Sequence, residues 1–296
     1  MTPPNIHFSF QSLWRSLMPV YGNSEGEAKA VTRLLLEDMF GMTMADICGG
    51  ALEQMNIDDK RRLDAMMTRL LQGEPVQYII GESVFCGRRF IVEPCVLIPR
   101  PETAQLCRMV VTDHDRPVCA LQPPLPLRVL DIGTGSGCIA VTLALSLFRP
   151  EVTAWDISAE ALLVARANAK RYGAHIDFQL QDALCAPHDE EKWDVIVSNP
   201  PYISNSERKD MSPHVLDHEP HTALFVPDDD PLRFYRAIAT YAVSALKKDG
   251  TLYFEINPRF AEQMREMLQH MGFVDVEIVN DEYGKRRFCK SQFAKA

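Results

Sequence analysis

The stretch RVLDIGTGSGCIA (128–140) decides the fold. Its first five residues have the continuous apolar and β-branched character of a buried strand, and CIAVTLALSLF (138–148) reads as a helix. Between them lie Gly133, Gly135 and Gly137, which let the backbone approach a ligand closely. A strand, a glycine-rich turn and a helix in this order predict the first βα unit of a doubly wound sheet, whose ligands bind beyond the carboxyl ends of the strands.

Further strands and helices alternate on the carboxyl side of this unit. Strands are predicted at 152–157, 176–181, 194–198, 251–256, 275–280 and 286–291, and helices from Ser158 to Gly173 and at 231–247 and 258–271. Strands separated by helices favour a parallel sheet. The last two strands are only a few residues apart, so they must pair antiparallel. The predicted fold is α/β and Rossmann-like, with a seven-stranded, mostly parallel sheet and an antiparallel C-terminal hairpin.

The residues before the sheet have a different pattern. Residues 1–73 show helical periodicity without strand-like alternation and predict a small helical bundle. Two short apolar runs around Gly87 predict a β-hairpin, and DRPVCALQPPLP (115–126) predicts a semi-rigid surface loop. We therefore expect a helical domain at 1–80, a β-hairpin connector at 81–100 and a larger domain at 101–296.

Composition narrows the functional classes. The net charge of −9 and pI of about 5.4 argue against stable nucleic-acid binding. No apolar run approaches the roughly 20 residues of a membrane span. The eight cysteines include no C-x-x-C pair and no secretory signal precedes them, which predicts reduced thiols in a cytoplasmic protein without a membrane partner.

The ligand of the glycine loop (133–137) follows from its spacing and its charges. The dinucleotide pattern G-x-G-x-x-G fails because Cys138 stands at its last position. Asp131 would repel a pyrophosphate but suits a cation, and Asp156, at the end of the second strand, can accept the hydroxyl hydrogens of a ribose. These features predict S-adenosylmethionine as cofactor. The predicted contacts are Gly133, Thr134, Gly135, Ser136, Gly137 and Asp156, with Asp182 near the adenine.

A second predicted site follows the fourth strand of the sheet, at SNPPYI (198–203). The side-chain oxygen of Asn199 and the carbonyl oxygen of Pro200 could each accept one N–H of a planar –NH₂ group. Tyr202 could stack on that group, and Pro200 and Pro201 would keep the acceptors rigid. We therefore expect Asn199, Pro200 and Tyr202 to be catalytic, and Asn199, Pro200, Pro201 and Tyr202 to bind the substrate. No general base is evident.

Several motifs together resemble the HemK/PrmC family of class I methyltransferases, which modify the glutamine of the Gly-Gly-Gln motif in peptide chain release factors. They are GEPVQYIIG (73–81), VLIPRPET (96–103), LDIGTGSG (130–137), SNPPYI (198–203) and HEPHTAL (218–224). They lie in the family's order and cover nearly the whole chain. The resemblance implies S-adenosylmethionine as methyl donor, S-adenosylhomocysteine and N5-methylglutamine as products, and a release factor as protein partner.

The resemblance also carries implications for individual positions. It implies cofactor contacts at Asn199 as well as in the glycine loop, and it implies that the helical domain helps to dock the protein substrate. Two positions depart from the family pattern. Ala104 replaces a usual acidic residue, and Ala183 replaces an aromatic residue that covers the adenine in some members, which leaves that wall of the pocket unassigned.

Other acceptors and other sites remain possible from the sequence. The same chemistry suits a glutamine of a ribosomal protein or the N6 amino group of adenine in a nucleic acid, and a non-catalytic cofactor-sensing module is a third possibility. Residues 203–230 predict a long loop that covers the peptide substrate. His214, His218 and His221 lie in that loop, but Pro213 and Pro220 disfavour a long helix there, and no metal site is predicted.

Overall fold

The computed structural model of the protein describes residues 9–114 and 125–293. Most of the predicted proline-rich loop (115–126) lies outside these residues. The chain divides into two compact units. A helical unit comprises Met1–Glu82 and Ser212–His218, and a sheet unit comprises Ser83–Met211 and Glu219–Ala296.

The described residues form eleven α-helices and eleven β-strands. The helices are α1 (Phe10–Leu17), α2 (Glu25–Phe40), α3 (Met44–Cys48), α4 (Ile57–Leu71), α5 (Val76–Ile80), α6 (Pro101–Asp113), α7 (Cys138–Ser146), α8 (Ala159–Tyr172), α9 (Pro213–His218), α10 (Arg233–Ala245) and α11 (Ala261–His270). The strands are β1 (Glu82–Phe85), β2 (Arg88–Ile91), β3 (Leu127–Ile132), β4 (Pro150–Asp156), β5 (Ile176–Leu180), β6 (Trp193–Ser198), β7 (Ile203–Ser204), β8 (Phe225–Val226), β9 (Leu246–Glu255), β10 (Phe273–Asn280) and β11 (Arg286–Phe293).

The helical unit contains the predicted helices α1 to α5. Helix α2 is typical: the Ser24 side chain caps its first turn by accepting from Glu27 N, and Gly41 ends it at φ +66°. One face of α2 buries Leu35 and Leu36 in a hydrophobic core that also contains Leu63 and Leu70 of α4. Amphipathic helices of this kind are stabilised mainly by such packing and not by helix propensity.

The sheet unit has the predicted seven-stranded sheet, in the order β10-β11-β9-β6-β3-β4-β5. Strands β9, β6, β3, β4 and β5 are parallel, and β11 is antiparallel to both of its neighbours. One hydrophobic core packs α6, α7 and α8 on one face, and a second core packs α10 and α11 on the other. The α/β prediction with an antiparallel C-terminal hairpin is therefore confirmed.

The strand order also predicts where a ligand binds. The chain runs outward from β3 through β4 to β5, and then returns to place β6 on the opposite side of β3. In open α/β sheets ligands bind beyond the carboxyl ends of the strands where the order reverses. The glycine loop follows β3 and Asn199 follows β6, so both predicted sites lie at this reversal.

The prediction that residues 203–230 form one long loop was wrong, because this segment contains short strands and helices. Strands β7 and β8 pair in parallel there, and α9 and two short 3₁₀ turns lie between them. Helix α9 belongs to the helical unit, where the His214 ring stacks on Tyr21 at 4.6 Å between centroids. The two ring nitrogens of His214 contact the carbonyl oxygens of Gly73 (2.6 Å) and Val20 (3.0 Å).

Candidate active site

A cavity of about 360 Å³ lies at the carboxyl edge of the sheet, where β3, β4 and β6 end. It is lined by residues 133–136 of the glycine loop, by Asp156 and Asp182, and by Asn199, Pro200 and Pro201. The structure therefore brings the two predicted sites to one cavity. A more open surface groove of about 600 Å³ runs along residues 183–188 and α10, and it is lined by neither the glycine loop nor Asn199.

The glycine loop is a tight turn that needs glycine. Gly133, Gly135 and Gly137 have φ values of +77°, +53° and +79°, a region that other residues rarely adopt. A Cβ atom added at Gly137 would lie 3.0 Å from the Cβ of Ala165 in α8, so the loop also packs closely against that helix. The amides of Gly133 and Thr134 both donate to the carbonyl oxygen of Trp155 at 2.9 Å, which fixes the loop to the end of β4.

Asp131 lies directly before the glycine loop and is fully buried. One carboxylate oxygen, Oδ2, accepts from Thr134 Oγ1 (2.6 Å) and from Ala140 N (3.1 Å). The other, Oδ1, has no hydrogen-bond partner in the described structure. Burial raises the pKa of this carboxyl to about 7, against the hydrogen bonds that lower it. Asp131 is not among the residues that line the cavity, so its carboxylate would favour a cationic ligand such as the predicted S-adenosylmethionine by its charge, from behind the glycine loop.

Asp156 connects the end of β4 to the glycine loop. Its Oδ2 accepts from Gly135 N at 2.8 Å, and its Oδ1 accepts from Ser158 N at 2.9 Å. Burial raises the pKa of this carboxyl, and the backbone hydrogen bonds oppose that shift. A carboxylate oxygen has two lone pairs, so each oxygen keeps one acceptor site toward the cavity for the ribose hydroxyls.

The far end of the cavity has apolar walls that the sequence left unassigned. Ala183 and Leu184 line it beside Asp182, whose Oδ1 accepts from Leu184 N at 2.8 Å. Ile157 lines the cavity after Asp156, with 64% of its surface exposed. Exposed apolar side chains at a cavity wall suit a planar apolar ring. The apolar residue after the strand-end carboxylate could have suggested Ile157, but no local signal marks Leu184.

Asn199 and Pro200 line the cavity on the side of β6, as predicted. The Asn199 side chain donates from Nδ2 to Thr103 Oγ1 at 3.2 Å. Tyr202 is not among the residues that line the cavity. Its hydroxyl donates to Glu255 Oε1 at 3.0 Å, and its ring packs against the hydrophobic core shared with α10. These contacts fix the ring, and its stacking on a substrate stays a prediction.

Several known proteins are similar to this chain. A model of the "PrmC N-terminal domain" matches residues 22–81, and a model of the "Methyltransferase small domain" matches residues 118–222. The release factor glutamine methyltransferase of Bacteroides thetaiotaomicron is 43% identical over 92% of this chain and 95% of that protein. The relative of the same name from Streptococcus pneumoniae is 36% identical over 89% and 91%. A methyltransferase structure from Pyrococcus furiosus aligns at 17% identity and TM-score 0.49, over 77% of this chain and 98% of that one.

The chain belongs to the release factor glutamine methyltransferase family. The sequence resemblance to HemK/PrmC proteins is thereby confirmed. In this member of the family, two of the motifs quoted above meet through one buried carboxylate. Glu219, which is 4% exposed, accepts from the guanidinium of Arg100 at 2.5 Å and from Ile98 N at 3.3 Å. This contact joins VLIPRPET (96–103) to HEPHTAL (218–224).

The structure adds further residues that sequence reasoning missed. Thr103 and Glu255 hold Asn199 and Tyr202, and the buried Asn168 of α8 donates from Nδ2 to the carbonyl oxygen of Ser136 at 2.9 Å. Thr103 ends the VLIPRPET motif (96–103), but its contact with Asn199 was not predicted, and no local motif marks Glu255 or Asn168. In residues 9–114 and 125–293, no group of three or more His, Cys, Asp or Glu side chains is arranged to hold a metal ion. Within the same ranges, no helix is both long and apolar enough to cross a membrane.

Proposed function

We propose that this protein transfers a methyl group from S-adenosylmethionine to the side-chain amide nitrogen of the glutamine in the Gly-Gly-Gln motif of a peptide chain release factor. The products are N5-methylglutamine and S-adenosylhomocysteine. The observation that carries the proposal is the single cavity that has the glycine loop and Asp156 on one side and Asn199 and Pro200 on the other. Membership of the release factor glutamine methyltransferase family supports the choice of acceptor.

The cofactor would be held by residues of the sheet edge. The glycine loop (133–137) and Asp131 suit its methionine part with the sulfonium and ammonium charges, Asp156 suits the ribose, and Asp182 lies beside the apolar wall that suits the adenine. When bound, this cofactor supplies an electrophilic methyl group. Asn199 lies at the boundary between the cofactor and the acceptor.

The chain's own contribution to the reaction is orientation. The glutamine amide nitrogen is a poor nucleophile because its lone pair is delocalised into the carbonyl group. Asn199 Oδ1 and the carbonyl oxygen of Pro200 each accept one N–H, which turns the nitrogen toward the methyl group and favours its rehybridisation. The nitrogen gains the methyl group and then loses one proton to solvent, so no general base is needed.

Selection for an amide follows from the same two acceptors. Each neutral hydrogen bond contributes only about 0.5–1.5 kcal/mol to binding. An ionised carboxylate has no hydrogen for either acceptor oxygen, and a hydroxyl has one hydrogen for the two. Sites built for a donor reject such analogues strongly. Glutamate in place of the glutamine should therefore not react.

The remaining proposals concern the partner and the location. We propose that the helical unit (1–80 in the sequence prediction), joined by the hairpin at 81–100 to the methyltransferase domain at 101–296, contributes to docking the release factor. Such a partner acts on the ribosome and places the reaction in the cytoplasm. The acidic net charge disfavours stable nucleic-acid binding and supports a protein acceptor.

Mass spectrometry of an intact release factor, incubated with this protein and S-adenosylmethionine, tests the function. We expect one added methyl group on the Gly-Gly-Gln glutamine, and none when that residue is glutamate. Asn199→Ala should abolish the product, while Asn205→Ala, an exposed asparagine outside the cavity, should not change the rate. A methyl group on a ribosomal protein or on adenine, with none on the release factor, would instead support one of the other acceptors.

A further inference from the structure

Glu255, the last residue of β9, is a buried carboxylate to which the reaction above assigns no role. Both of its oxygens accept from hydroxyl groups. Oε2 accepts from Thr103 Oγ1 at 2.7 Å, and Oε1 accepts from the Tyr202 hydroxyl at 3.0 Å. The backbone of Glu255 is also fixed, because the Tyr235 hydroxyl donates to its carbonyl oxygen at 3.1 Å. Glu255 thus holds two hydroxyls in defined positions.

The hydrogen bonds of Thr103 decide how the Asn199 amide is turned. A threonine hydroxyl has a single hydrogen, and Thr103 donates it to Glu255. Its oxygen can therefore only accept from Asn199, which must present Nδ2 to it, as the 3.2 Å contact shows. The opposite orientation would place Asn199 Oδ1 against an oxygen that has no hydrogen left to donate. With Nδ2 committed to Thr103, Oδ1 remains as the free acceptor of the side chain.

We propose that Glu255 is a positioning residue for methyl transfer. Through Thr103 it keeps Asn199 Oδ1 as an acceptor, and through Tyr202 it holds the other end of the proline-rich turn at 199–202. The inference rests on the proposed function, because that function assigns Asn199 Oδ1 to the substrate amide. It also explains why Tyr202 points into the protein: its hydroxyl anchors the turn.

The relay requires Glu255 to be ionised. A protonated Glu255 can donate to the Thr103 oxygen. The Thr103 hydrogen is then free to turn toward Asn199, and the opposite orientation of the Asn199 amide becomes possible. Burial raises the pKa of Glu255, and the charge of Glu102 in α6 raises it further. The hydrogen bonds from Thr103 and Tyr202 and the charge of Arg287 in β11 oppose that shift. Methyl transfer should therefore weaken as the pH falls and Glu255 takes up a proton.

A matched pair of variants at Thr103 tests the relay. Thr103→Val removes the hydroxyl at nearly constant shape, and Thr103→Ser keeps the hydroxyl. At saturating cofactor and release factor, we expect kcat to fall about tenfold in Thr103→Val and less than about threefold in Thr103→Ser. Because Thr103 also lines the cavity, the Kd for S-adenosylmethionine is measured by calorimetry and should stay within about twofold in both variants.

The pH profile separates positioning from mere structural support. In the wild-type protein, kcat at saturating cofactor should fall on the acidic side, and this fall should disappear in Thr103→Val because Glu255 is no longer coupled to Asn199. A purely structural Thr103 would lower kcat equally at all pH values and leave the profile unchanged in shape, which would overturn the inference.

A readout without any acceptor makes the two proposals distinguishable. The NMR signals of the Asn199 side chain are recorded in protein labelled with ¹⁵N-asparagine and are assigned from their loss in Asn199→Ala. These signals should shift in Thr103→Val and return toward the wild-type position in Thr103→Ser. In the wild type they should shift as the pH falls. If these shifts occur but no release factor is methylated, the proposed function fails and the relay stands. If methylation occurs but Thr103→Val leaves kcat and the Asn199 signals unchanged, the relay is wrong.

Discussion

The buried side chain of Asn168 joins the glycine loop to the β-hairpin. Its Nδ2 donates to the carbonyl oxygen of Ser136 at 2.9 Å and to that of Ile91 in β2 at 3.0 Å. Its Oδ1 accepts from Ile91 N at 2.7 Å. A single amide in α8 therefore holds both the predicted cofactor loop and the strand that leads into the sheet unit.

Replacing this amide should loosen both partners. Asn168→Ala removes three hydrogen bonds to the backbone of Ile91 and Ser136, and we expect a loss of about 2–4 kcal/mol in the free energy of unfolding and an S-adenosylmethionine Kd raised about tenfold. Urea denaturation and calorimetry measure these two quantities. Lys170→Ala, at an exposed position of the same helix, should change neither by more than about 0.5 kcal/mol. An unchanged Kd in Asn168→Ala would show that Ser136 needs no such support.

Asp131→Asn should make the protein more stable and its cofactor binding weaker. With the folded pKa raised to about 7 and the unfolded pKa near 3.8, the folded protein keeps a proton that the unfolded chain releases between these values. Stability from this group is thus greatest below pH 4 and is lost as the pH rises to about 7. Asparagine keeps one acceptor for Thr134 and Ala140 and removes this cost.

The effect of Asp131→Asn therefore depends on pH. We expect its gain in Tm to be largest at pH 8 and to vanish toward pH 4, while its Kd for S-adenosylmethionine at pH 8 rises about tenfold or more. Thermal scans and calorimetry at matched pH values check both. A Tm gain that is the same at all pH values would mean that ionisation of Asp131 is not its cause.

Gly137→Ala should destabilise the cofactor loop by more than the strain of a positive φ value alone. Gly137 and Gly173 both have positive φ values, +79° and +65°, but an added Cβ meets Ala165 only at Gly137. Gly173→Ala should therefore cost about 1 kcal/mol in the free energy of unfolding, and Gly137→Ala about 1–3 kcal/mol more together with a raised cofactor Kd. Equal losses in the two variants would show that the contact with Ala165 relaxes freely.

Arg100 and Glu219 should respond unequally to mutation. The Glu219 side chain is 1% exposed and the Arg100 side chain 32% exposed. Arg100→Ala leaves a buried carboxylate without its cation and should cost about 3 kcal/mol in the free energy of unfolding. Glu219→Gln leaves an arginine that water can reach and should cost only about 1 kcal/mol. Urea denaturation of both variants gives the comparison, and a larger loss in Glu219→Gln would contradict this account.

Sequence reasoning found the sheet because each strand is a continuous run with local boundaries. The prediction of 128–132 matches β3 within one residue, and the helix from Ser158 to Gly173 has its predicted caps. The meeting of Asp156, Asn199 and the glycine loop at one edge of the sheet also followed from the sequence, since chain order alone brings the carboxyl ends of parallel strands together.

The residues that support the site could not be found in this way. Thr103 and Glu255 touch across 152 positions of sequence, and Asn168 reaches Ile91 across 77. Side-chain contacts of this range leave no periodicity or spacing to detect. The hydroxyl of Tyr202 likewise reaches Glu255 across 53 positions, and the SNPPYI motif (198–203) gives no indication of that partner. Helix α9 was missed because six residues between prolines are too short for a helical pattern.

Glu255 follows every other residue of the predicted sites in chain order, which matters during biosynthesis. The glycine loop, Asp156 and the proline-rich turn at 199–202 are all made before β9, and the carboxylate that fixes the turn comes with the last residue of that strand. In a nascent chain that has folded β3, β4 and β6, Asn199 Oδ1 and the carbonyl oxygen of Pro200 would therefore not yet be held in position. Contacts of such long range also form late in folding, because they must offset the entropy of closing large loops. Competence for methyl transfer should accordingly appear only after β9 has been made.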